Sequence, residues 1–116
     1  MLSHALEHGV LVITVRRDPG IGGRALLARE IGGLVRAHRP RPVVVVLDEP
    51  ATSGPAVSAI LRVHRICRSL GVLLSVASHS APTRRLLEAK ADTGGTRLVI
   101  HARTDTAIAA AFTAAA

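Results

Sequence analysis

The sequence predicts an α/β fold with a mostly parallel or mixed sheet of about five strands and about four helices. Three observations point there. Short β-branched runs alternate with stretches whose apolar residues recur at helical spacing, and the connections between them are short. The run Val43–Leu47 is uninterrupted aliphatic and lies between prolines, as a central strand buried on both faces does. Apolar residues make up 48% of the chain, yet Phe112 is its only aromatic residue, so the core must be aliphatic, which suits helices packed on a sheet. With 116 residues, one domain spanning 1–116 is expected.

The elements follow in order. "HGVLVITVRR" reads as a strand with Val10, Val12 and Thr14 on one face and Leu11, Ile13 and Val15 on the other. "LSHAL" before it can pair antiparallel through a turn at Glu7 to Gly9. Pro19 and Gly20 break the chain, and "GIGG" reads as a loop. "RALLAREIGGLVRAHR" carries Leu26, Leu27, Ile31, Leu34 and Val35 at helical spacing and stops at Pro40. After the Val43–Leu47 strand, a second helix runs from about Pro55 to Leu70, with Gly71 as its stop. "GVLLSVAS" is the next strand, "APTRRLLEAK" a short helix, and "TRLVIHA" the last strand. "TDTAIAAAFTAAA" closes the chain as an alanine-rich helix that Thr104 or Asp105 can cap.

A formal net charge of +7, carried by fourteen arginines and Lys90, favours an acidic partner, a membrane surface or nucleic acid. With no tyrosine or tryptophan, stacking on bases is disfavoured and nucleic acid is the weakest of these. The start has no basic segment leading into an apolar one, and no run is long enough to cross a membrane, so a cytoplasmic protein without a membrane partner is expected. Cys67, alone in an apolar helical stretch, reads as a buried, inert thiol. The six histidines read as scattered surface or edge residues; only His4 and His8 are close in sequence, and no metal site or cofactor is expected.

In open α/β sheets, function gathers beyond the carboxyl ends of the strands, where a following helix offers free N–H groups. "DEPATSGP" lies there. Asp48, Glu49, Thr52 and Ser53 bring acids and hydroxyls to one rim, although a capped helix N-terminus accounts for the same residue types. Gly54 supplies conformational freedom at the turn, and Arg62, Arg65 and Arg68 form a basic stripe on the helix beyond, opposite Val57, Ile60, Leu61 and Leu70. "GIGGRA" matches G-x-G-x-x-A only formally, because "RRDP" separates it from the strand and no acid follows about twenty residues on. No phosphate-cradling G-x-x-x-x-G-K-[ST] is present.

The strand "HGVLVITV", the helix "ALLAREIGGLV", the strand "PVVVVLD", the turn "ATSGP", and "ILRVHRICRSLGVLLSVAS" with the following "S-x-P-x-x-R-x-L-L" together resemble the STAS domain of bacterial anti-sigma factor antagonists. The likeness covers almost the whole chain. It implies a STAS-like fold and a non-enzymatic role in transcription regulation: binding an anti-sigma factor that is often a serine kinase. In that family the kinase phosphorylates a Ser or Thr in a D-[ST]-x-G turn and so ends binding. A phosphoryl group adds about 1.5 to 2 negative charges at neutral pH, on a surface shaped to meet a neutral hydroxyl.

Aligned on "TSG", Thr52 takes the acceptor place and Ala51 stands where the family has aspartate; aligned by distance from Gly71, the motif falls on "SGPA" and no hydroxyl remains. Phosphorylation of Thr52 or Ser53 therefore does not follow from the motif. The expected partner surface is Asp48, Glu49, Thr52, Ser53, Gly54, Arg62 and Arg65, with a homodimer also open. The alternative is a small ligand-binding or hydrolytic α/β protein using Asp48, Glu49, Ser53 and His79 around a pocket at that rim.

Overall fold

A computed structural model describes residues 2–48, 54–95 and 97–115. The chain runs β1 (Leu2–Glu7), β2 (Val10–Val15), α1 (Gly20–His38), β3 (Val43–Leu47), α2 (Gly54–Leu70), β4 (Leu74–Ser78), α3 (Ala81–Thr93), β5 (Val99–His101) and α4 (Thr104–Ala115). The five strands form one sheet in the order β1-β2-β3-β4-β5. β1 pairs antiparallel with β2, and β2 through β5 are parallel. The predicted fold class, an α/β protein with a mixed, mostly parallel sheet and four helices, is the observed one.

Each strand is added beside the previous one. Crossovers of one hand then put α1, α2 and α3 on the same face of the sheet. There Leu27, Ile31 and Val35 of α1, Val57, Ile60 and Val63 of α2 and Leu87 of α3 bury Leu11, Ile13, Val45 and Val76. The opposite face is left to α4, which no later strand constrains. Its Ala107 and Ala111 cover Val10, Val12, Val44 and Val46. This two-sided cover explains why all five residues of β3 are buried.

The β1–β2 connection is a two-residue turn in which His8 (φ 53°) and Gly9 (φ 79°) both take positive φ, the conformation whose twist matches a hairpin. α1 ends where Arg39, extended at φ −60° and ψ 149°, precedes Pro40. Its start differs in part from expectation: α1 takes in "GIGG" instead of leaving it as a loop, while Gly20 itself, at φ 68°, marks the expected break. The Gly20 N–H donates to Asp18 Oδ1 at 3.2 Å, and the glycines fall in the first turn, where N–H groups have no helical acceptor in any case. Thr104 and Asp105 both lie within the first turn of α4, where Asp105 Oδ1 accepts the Thr106 N–H at 2.8 Å and Oδ2 accepts from Arg103. No helix among the described residues is long and apolar enough to cross a membrane.

Candidate functional site

Parallel pairing aligns the carboxyl ends of β2, β3 and β4 at one rim, since Val15 is in register with Leu47 and Leu47 with Ser78. Asp48 leaves β3 there, its N–H donating to the Val15 carbonyl at 3.0 Å. Its carboxylate lies 3.9 Å from Arg16 Nη1, both side chains being substantially exposed, so the pair is weak. Arg16 is also steered by its Nε, which donates to Ser3 Oγ at 3.2 Å. On the β4 side the rim is built for a helix start: Ser80 Oγ accepts from the Thr83 N–H at 3.3 Å and from Thr83 Oγ1 at 3.0 Å, and Arg84 donates to the Ser78 carbonyl at 2.8 Å.

Of the expected site residues, Glu49, Thr52 and Ser53 lie outside the described residues. Gly54 is the first residue of α2 and is exposed, and a Cβ built on it meets nothing within 4 Å among the described residues. His79 is exposed at the end of β4 and makes no hydrogen bond or ion pair among the described residues, and Asp48 is engaged with Arg16 instead. A clearly apolar cleft, about 210 Å³ and lined by Leu73, Leu74, Val99 and Ala111, lies at the other end of the sheet, away from this rim.

The histidines divide. His64, expected at the surface, is buried on α2 at 7% exposure, and its Nδ1 has no partner among the described residues. Burial, and secondarily Arg68, hold its pKa below the usual 6.5. His4 packs edge-on to His38 and His8 edge-on to Phe112, so the two histidines close in sequence turn to opposite sides of the sheet. Among the described residues no three His, Cys, Asp or Glu side chains group as metal ligands do. Cys67 is buried, and burial pushes its thiol up to about 11 against the opposing pull of Arg36.

Arg62 and Arg65 are exposed on α2, as expected, and α1 brings others to meet them. Arg24 of α1 closes a cleft of about 240 Å³ with Ser58, Arg62 and Arg65, which share one face of α2 at i, i+4 and i+7. Arg62 also borders a second cleft, about 320 Å³, with Arg29, Arg36, Ala25, Ala28 and Ile66. Arg36 folds over Gly32: a Cβ there would lie 3.3 Å from the guanidinium Nη1 and 3.6 Å from Ile66 Cδ1. Sequence reading found the α2 half of this groove and missed Arg24, Arg29 and Arg36. The seven-residue spacing of Arg29 and Arg36 is the signal that could have marked a shared helix face.

Comparison with protein-family models, with curated proteins and with solved structures finds no match to this chain.

Proposed function

We propose that this chain is a non-catalytic protein-interaction module of the STAS-like kind, acting in the cytoplasm as an anti-sigma factor antagonist. Its partner is an anti-sigma factor of the serine-kinase class or a related regulatory protein. The observation that carries this reading is the placement of exposed Arg62 and Arg65 on α2, a helix with no acidic residue, in the α/β unit whose β3 ends at Asp48 and whose α2 begins at Gly54. Exposed charge of one sign, arranged on a rigid helix, selects and steers a partner.

The alternative hydrolytic reading asks for a base oriented toward a nucleophile within hydrogen-bond reach. His79 has no orienting partner among the described residues, so that reading gains no support from this rim.

Affinity capture from the cytoplasm of the source cell, with mass spectrometry of the retained proteins, tests the reading. Enrichment of an anti-sigma factor is expected; its absence, with other proteins retained, overturns the assignment. Incubating the chain with that kinase and ATP tests regulation at Thr52 or Ser53 separately. The gain of one phosphoryl group, lost in the Thr52→Ala/Ser53→Ala double variant, is the result phosphoregulation requires. An unmodified mass beside a modified control antagonist removes that clause and leaves binding intact.

A further inference from the structure

We infer that the groove between α1 and α2 is a docking site for an acidic, amphipathic segment of a partner protein. The inference rests on reading this face as a docking surface and names what docks there.

Charge is the first argument. α1 carries Arg24, Arg29 and Arg36 against Glu30 alone, and α2 carries Arg62, Arg65 and Arg68 with no acid, so these two helices hold five of the seven net positive charges. The ion pairs among the described residues, Arg16–Asp48 and Arg103–Asp105, include none of them. Shape is the second. The two clefts between α1 and α2 share Arg62 as a lining residue, and their α1 residues run from Arg24 to Arg36, about 18 Å at the helical rise of about 1.5 Å per residue. That is the length of some three helical turns.

Chemistry within the groove selects the occupant. One end is polar, with three guanidinium groups beside the Ser58 hydroxyl, which suits a carboxylate. The other has Ala25, Ala28 and Ile66 between Arg29, Arg36 and Arg62. A nucleic-acid backbone makes no use of an aliphatic floor, and no aromatic side chain lines the groove for a base to stack on. An amphipathic segment uses both, its apolar stripe on the floor and its acids on the rim.

The probe is a fluorescently labelled amphipathic peptide of about four helical turns, with a leucine stripe flanked by glutamates, titrated against the full chain by anisotropy at low and physiological salt. Saturable binding is expected, weakened about tenfold or more by Arg62→Glu, by Arg65→Glu and by the Arg29→Glu/Arg36→Glu pair. Arg62→Lys should recover most of the affinity, and Arg97→Glu, away from the groove, should leave it unchanged. Circular dichroism and denaturant midpoints confirm that each variant is folded. Equal binding of a scrambled peptide of the same composition, insensitivity to Arg62→Glu, or tighter binding of a DNA duplex would each overturn the inference. If an anti-sigma kinase is captured equally by the wild type and by Arg62→Glu, the groove is wrong and the proposed function stands. If the peptide behaves as expected and no such kinase is captured, the groove stands and that function falls.

Discussion

Gly71 follows the last residue of α2 at φ +69°, where its N–H donates to the Arg68 carbonyl and the next N–H, of Val72, reaches back to the Cys67 carbonyl at 2.9 Å. This left-handed cap settles two carbonyls that would otherwise lack partners and turns Val72 into the core. Gly71→Ala is expected to lower stability by about 1–2 kcal/mol, because an L side chain is strained at that φ. Gly54, at the other end of the same helix, is exposed, and a Cβ there meets nothing within 4 Å among the described residues. Gly54→Ala should be neutral or stabilising by about 0.4–1 kcal/mol, through a less flexible unfolded chain. Denaturant midpoints of the two variants check the contrast. His64 gives a second prediction at this scale. Its folded pKa lies below 6.5, so the unfolded chain takes up the proton first and stability falls as pH drops below about 6.5, levelling once the folded histidine also protonates. His64→Leu should flatten the stability profile between about pH 6.5 and 5 relative to wild type; parallel profiles would show that His64 is not held neutral.

At the scale of elements, α4 is the helix that covers one face of the sheet among the described residues, and it does so with Ala107 and Ala111 beside Ile108. A fully buried methyl at Ala107 sets how closely the helix lies on Val10, Val12, Val44 and Val46. Ala107→Leu is expected to cost about 1–3 kcal/mol by overpacking, while Ala109→Leu, on the exposed side, stays within about 0.5 kcal/mol; thermal unfolding of both variants tests this. The strands and most helices were legible because their signals are local: five β-branched or aliphatic residues between prolines, apolar residues at helical spacing, a glycine at a helix end. The start of α1 was not, since glycines weigh against a helix by propensity, and only the Asp18 contact and the packing of Leu27 and Ile31 outweigh that. The buried position of His64 was hidden for a similar reason. Nothing in its residue type says which side of α2 it takes until Val57, Ile60 and Val63 have chosen the core. The groove was only half legible. Arg62 and Arg65 share a face by spacing, but Arg24, Arg29 and Arg36 join them only because successive parallel strands place α1 beside α2.

Across the whole molecule, charge is distributed unevenly. The α1–α2 face concentrates positive charge, whereas α4 on the opposite face carries a single acid, Asp105, held by Arg103 at 2.7 Å. Like charges on one face oppose the compact state, and the cost is greatest at low salt. Within α2, Arg62, Arg65 and Arg68 stand three residues apart, so Arg65 repels a neighbour on either side. Arg65→Glu converts both repulsions to attractions and should raise the stability of the free chain by about 0.5–1 kcal/mol at low ionic strength, a gain that shrinks as salt is added. The same substitution is expected to weaken peptide binding in the groove. Opposite signs for stability and binding are the mark of a residue kept for recognition rather than for folding. Denaturation of wild type and Arg65→Glu at low and high salt, beside the binding titration, measures both; a variant less stable at low salt and unchanged in binding would assign Arg65 a structural role instead.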